Sequence, residues 1–140
     1  MLLKHKRIFL VEDNQSNATI IQMLLEQEGA RVLRGRWGGP DTIQLFKKAL
    51  PIDLIVMDLM LPNGITGYDV YDDLVRCGDA DGIPVVAVSA GEPAIAIPKT
   101  RDKGFSGFIA KPVDFTHFPN QIADILMGTP VWSTGRIMED

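Results

Sequence analysis

The chain is short of several things, and each shortage narrows what it can be. It has one cysteine, Cys77, in 140 residues. No intrachain disulfide is available, and a reducing compartment is the simpler expectation. No apolar run approaches the ~20 residues that cross a bilayer as a helix. The opening Met1-Leu2-Leu3-Lys4-His5-Lys6-Arg7 places its charges after a short apolar stub, the reverse of a secretory leader. Positive charge is not in excess, with 14 Lys and Arg against 18 Asp and Glu and a net charge of −4. That balance argues against a nucleic-acid binder, and the basic run at residues 4–7 reads as a solvated lead-in to a strand. The two histidines, His5 and His117, lack the spacing of a metal site or a catalytic triad. There is no internal repeat and no low-complexity segment. The expectation is a soluble cytoplasmic protein with one core, since 46% of residues are apolar and the length suits a single ordinary domain.

What is present is a set of four short apolar runs, each ending on a polar residue. Ile8-Phe9-Leu10-Val11 leads into Glu12-Asp13, and Leu54-Ile55-Val56-Met57 into Asp58. Val85-Val86-Ala87-Val88 leads into Ser89, and Gly107-Phe108-Ile109-Ala110 into Lys111-Pro112. Apolar runs without alternation are the signature of strands covered on both faces. A fifth run, Ala30-Arg31-Val32-Leu33, is more polar and is expected near a sheet edge.

Helical patterns separate the runs, which makes a doubly wound α/β domain the expected fold. Asn14 or Ser16 can cap a first helix bearing Ala18, Ile21 and Leu25, ended by Gly29. Residues 38–41 open a second helix with Ile43, Phe46 and Leu50, closed by Pro51. A third is expected over residues 68–76 with Val70, Leu74 and Val75 inward. Pro93 and Pro98 predict that the helix within residues 91–103 is short, late or distorted. Phe115, Phe118, Ile122, Ile125 and Leu126 mark the last helix, and residues 128–140 read as an unpatterned tail.

In an open parallel sheet, chemistry collects at the carboxyl ends of the strands. Glu12, Asp13 and Asp58 would therefore meet there, with Ser89 and Lys111 on the same rim. Carboxylates ~4 Å apart repel by about 4 kcal/mol per pair at an effective dielectric near 20. A divalent cation and an ammonium would offset this, and hard oxygen donors with retained water suit Mg²⁺. A carboxylate held between metal and lysine is a suitable nucleophile toward a phosphoryl group. Each residue alone also has a plain reading: the acids as helix cap or turn, Ser89 as a loop hydroxyl, Phe108 as core.

The set Glu12-Asp13-Asn14, Asp58-Leu59-Met60-Leu61-Pro62, Ser89-Ala90 and Lys111-Pro112 resembles the receiver domain of two-component response regulators, over most of the chain. The resemblance implies a flavodoxin-like, five-stranded parallel sheet in the order 2-1-3-4-5 with helices on both faces. It implies a receiver domain over residues 1–127, a tail over 128–140 and no output domain. Asp58 would accept a phosphoryl group from a histidine kinase or histidine phosphotransfer protein. Mg²⁺ would be held by Asp13, Asp58 and the backbone carbonyl of Met60, with Glu12 acting mostly through water. Lys111 would bridge to Asp58 and then to the phosphoryl oxygens, and Ser89 would swing to bind them. Phe108 occupies the aromatic switch position, and Pro112 is expected to follow a cis bond. Output would pass to a downstream protein or a self-dimer through the face made by residues 91–127. The chain would be a phosphoacceptor switch rather than an enzyme; a relay or sink passing phosphate to a second histidine protein is the alternative.

The chain departs from that pattern in places. The loop after Asp58 is one residue longer than usual, with Gly67 nine positions on. Phe108 lacks the hydroxyl of the commoner tyrosine. The turn around Trp37 is unusual, and Trp37 is available to a partner or folded onto neighbouring loops. An aspartate-nucleophile phosphatase would want an acid where Met60 stands. A flavin or nucleotide module would want a Gly- or hydroxyl-rich phosphate loop where Glu12-Asp13 stand.

Overall fold

The computed structural model describes residues 1–35, 39 and 41–135 of the chain; Trp37 lies outside them. Strands β1 (Arg7–Val11), β2 (Arg31–Arg34), β3 (Leu54–Met57), β4 (Val85–Ser89), β5 (Gly107–Ala110) and β6 (Val131–Ser133) form one sheet in the order β2-β1-β3-β4-β5-β6. Every neighbouring pair is parallel. Helices α1 (Gln15–Glu26), α2 (Thr42–Ala49), α3 (Gly67–Cys77), α4 (Pro93–Lys103) and α5 (Phe118–Leu126) connect the strands.

Alternation of side chains along each strand divides the core in two. Ile8, Leu10, Leu54, Val56, Val86, Val88 and Ile109 face α1 and α5. Phe9, Val11, Ile55, Met57, Ala87, Phe108 and Ala110 face α2, α3 and α4. Both faces are dry, which explains why the strands carry no polar alternation. The polar β2 lies at the sheet edge, as its composition predicts.

Local sequence sets the helix ends. Asn14 caps α1, its side chain accepting from Asn17 N–H at 3.0 Å. Thr66 and Asp69 form a reciprocal capping box on α3. Gly78, in the left-handed region at φ +79°, ends it.

Four expectations need correction. Helix α4 is neither short nor late: it runs eleven residues. Pro93 sits in its first turn, where a missing N–H has no intrahelical partner to lose, and Pro98 lies on its exposed side. Val75 is 57% exposed, because it falls outside the inward stripe of α3 that Gly67, Val70 and Leu74 form. Phe115 precedes α5 and is 56% exposed.

The fourth concerns the sheet, which has an added strand. Residues 131–133 lie beside β5 as β6, so the order is 2-1-3-4-5-6. Thr129 N–H bonds Asp124 O at 2.9 Å to close α5, and Gly128 at φ +95° turns the chain back. Three residues are too few to show a period, so the strand was invisible to patterning.

Candidate functional site

Strand register brings the acids together. Val11 is paired with Met57, so the residues that follow them, Glu12 and Asp58, emerge side by side. Asp58 N–H donates to Val11 O at 2.9 Å and locks that register at the strand ends. One oxygen from each of Glu12, Asp13 and Asp58 lies within 4.8 Å of the others. Glu12 and Asp58 are buried, and Asp13 is exposed at the mouth.

Lys111 arrives from the far side. Its N–H donates to Ser89 O at 2.9 Å, continuing the β4–β5 ladder past the strand ends. Its ammonium reaches Glu12 Oε1 at 2.5 Å and Asp58 Oδ2 at 3.1 Å. Asp58 Oδ1 accepts from Met60 N–H at 3.0 Å, and Glu12 Oε2 from Asn14 N–H at 3.3 Å. Sequence reasoning placed Lys111 on Asp58 and missed its tighter bond to Glu12. Pattern alone holds no signal for that choice, because both acids end neighbouring strands.

Burial pushes the Glu12 carboxyl up to about 7; the Lys111 hydrogen bond pulls it down, and nearby Asp58 adds to the rise. Burial lowers the Lys111 ammonium, but the Glu12 hydrogen bond and the charges of Asp58 and Glu12 outweigh it, so its pKa is raised. One ammonium thus faces three carboxylates. That leaves an excess of negative charge on oxygen donors, which suits a hard divalent cation.

Ser89 is fully buried, its Oγ accepting from Gly91 N–H at 3.3 Å. Phe108 is fully buried on the α4 side of β5, away from the mouth. Met60 is exposed beside the acids. The Lys111–Pro112 peptide is cis, as is Leu50–Pro51.

Gly67 holds the long loop against Asp58. Its N–H bonds Leu59 O at 3.0 Å, and a Cβ there would overlap Asp58 O and lie 2.9 Å from Leu59 Cα. The glycine is required by space at the acid's own backbone. A groove of about 330 Å³ adjoins Lys111, lined by Asn17, Ile20, Ile21, Val113 and Phe115 among others. Among the described residues, no helix is long and apolar enough to cross a membrane.

A doubly wound parallel sheet with an acidic cluster and a lysine at the carboxyl ends of its strands defines an α/β protein of the flavodoxin-like class, with its candidate site where open sheets bind ligands. The chain matches the response regulator receiver domain over residues 8–123. It is 31% identical to the polar-differentiation response regulator DivK of Brucella anthropi, over 86% of this chain and 96% of that protein. Among solved structures it is similar to a LuxR-family two-component response regulator from Aurantimonas (25% identity, TM-score 0.77, 91% of this chain and 89% of that one). It shares the fold of the Vibrio cholerae chemotaxis protein CheY4 at 16% identity (TM-score 0.77, 86% and 98%). The chain belongs to the response regulator receiver family of two-component signalling.

Proposed function

We propose that this chain is a phosphorylation-driven binding switch whose acceptor is Asp58. The observation that carries the reading is the setting of the Asp58 carboxylate: buried, held by Lys111 and Met60 N–H, and flanked by Glu12 and Asp13. An Asp58 oxygen attacks the phosphorus of a phosphohistidine. The P–N bond breaks, and its electron pair leaves with the imidazole nitrogen, which takes up a proton. Lys111 then moves its ammonium from the acids toward the phosphoryl oxygens. Ser89 exchanges its Gly91 contact for one of them.

The donor set fits Mg²⁺, with Asp13, Asp58 and the Met60 carbonyl as ligands and Glu12 acting through water. When bound, the cation would neutralise the acid cluster and the charge of the transferring group. The donor is a histidine kinase or histidine phosphotransfer protein, and the groove beside Lys111 gives it an apolar seat within reach of Asp58. Output passes by protein contact through the face of residues 91–127, in a cytoplasmic setting. The chain promotes only its own phosphorylation and dephosphorylation and turns over no separate substrate. The cis Lys111–Pro112 bond belongs to the same rim, and Phe108, buried beneath it on the α4 face of β5, is the aromatic switch position.

The test is incubation with acetyl phosphate or phosphorylated kinases, with and without Mg²⁺, scored by intact mass. A metal-dependent, acid-labile phosphoryl adduct on wild type, absent from Asp58→Asn, supports the reading. A stoichiometric adduct on the variant would remove Asp58 from its role.

A further inference from the structure

The sixth strand is built into the sheet. Register pairs Gly107 with Val131, Phe108 with Trp132 and Ile109 with Ser133. A Cβ on Gly107 would come within 2.7 Å of Val131 O, so the missing side chain on β5 makes room for the β6 backbone. Further on, a Cβ on Gly135 would lie 3.2 Å from the Ala110 Cβ, so the chain hugs β5 to its end.

Trp132 is the centre of this contact. Register sets Ala87, Phe108 and Trp132 in one row across β4, β5 and β6, on the sheet face that packs against α4. The Trp132 ring is half-buried against that cluster, with the Arg101 guanidinium of α4 4.7 Å from its centroid. One side chain therefore ties α4 to β5 at the position next to Phe108. Phe108 has no exposed surface, and a close-packed ring changes place only if its neighbours yield.

We propose that β6 is a latch: Trp132 and Arg101 hold α4 and Phe108 in the unphosphorylated arrangement and oppose the change that follows at Ser89. This inference rests on the phosphoacceptor reading of Asp58. Ser89 is paired with Ala110, two residues along β5 from Phe108, so a pull on Ser89 is delivered to the strand that β6 covers. Packed elements move between discrete arrangements, so β6 must loosen or reseat as the rim closes. A contact that favours one state lowers the apparent affinity of any ligand that selects the other. Whatever docks on the α4–β5 face must also deal with Trp132 first.

The full chain titrated with beryllofluoride, a phosphoryl mimic, in excess Mg²⁺ provides the test. Binding is followed directly by ¹⁹F NMR. A Trp37→Phe background leaves Trp132 as the only tryptophan, since the chain has two. Trp132 emission is expected to shift with the same midpoint as binding. Trp132→Ala is expected to bind about fivefold tighter, since the latched state no longer competes. Arg101→Ala, which leaves the ring in place, should change affinity the same way by a smaller factor and guards against a fold defect in the first variant. Saturable binding with unchanged Trp132 emission, or affinities in both variants equal to or weaker than wild type, would overturn the latch alone. No binding of beryllofluoride to wild type would overturn the reading of Asp58 and the latch with it.

Discussion

Lys111 Nζ lies 2.5 Å from Glu12 Oε1, nearer than the 3.1 Å that separates it from Asp58 Oδ2. The ammonium is thus shared between the proposed acceptor and a neighbouring acid. In the resting state Glu12 takes the closer share of its charge, and the other Asp58 oxygen accepts from Met60 N–H. The arrangement holds the cluster together without fully neutralising Asp58, the proposed acceptor.

Removing one acid should therefore stabilise the resting protein. Asp58→Asn deletes a member of a repelling cluster while keeping its shape and its Met60 contact. Relief of about 1 kcal/mol corresponds to a rise of about 3 °C in Tm for a chain of this size. Thermal denaturation without divalent metal measures it. A lower Tm for the variant would show that the Lys111 attraction outweighs the repulsion.

Lys111→Met should have the opposite effect. The substitution keeps most of the stem and removes the charge that two buried carboxylates share. The expected loss is about 2–3 kcal/mol at neutral pH, smaller at pH 5 where Glu12 takes a proton, and partly reversed by millimolar Mg²⁺. Urea melts at two pH values, each with and without Mg²⁺, separate these effects. Phosphorylation of the variant should persist in part while partner binding no longer responds to it.

Most of the fold and the site were legible because a short list of physical rules fixed them. Fully apolar runs gave β1, β3, β4 and β5, and their polar ends placed Glu12, Asp58, Ser89 and Lys111 on one rim. The features that escaped depend on contacts between distant residues. Strand β6 has three residues and gains its place from the vacancy at Gly107. Helix α4 survives two prolines because one begins it and the other faces solvent, which depends on which side packs inward. The preference of Lys111 for Glu12 is a matter of a fraction of an ångström between equivalent strand ends.

Gly67→Ala tests whether the long loop is seated by contact with Asp58. Helical propensity favours alanine, yet its Cβ would meet the carbonyl of Asp58 and the Cα of Leu59, both backbone atoms that cannot rotate away. The loop must shift or the start of α3 must lift. A destabilisation of about 1–3 kcal/mol is expected. Slower phosphorylation by acetyl phosphate should accompany it, because Met60 N–H and the Met60 carbonyl move with the loop. Wild-type stability and labelling rate together would show that the loop is free of that contact.

The buried Glu12 should make both stability and metal binding depend on pH in a predictable sense. Its carboxyl holds a proton more tightly in the folded chain, about 7, than at its ordinary value of 4.5. A proton held more tightly in the fold stabilises the fold. That contribution is complete below about pH 4.5 and is lost as pH rises through about 7. Without divalent metal, Glu12 should therefore lower stability across this window, by roughly a few kcal/mol at most. A cation at the same cluster competes with that proton, so Mg²⁺ affinity should rise with pH over the same range. The stabilisation Mg²⁺ confers should then be larger at pH 8 than at pH 6. Glu12→Gln should flatten both profiles while leaving the α1 cap at Asn14 intact. Melting curves from pH 5 to 8, with and without Mg²⁺, make the comparison. Parallel profiles for wild type and the variant would place the titrating proton elsewhere.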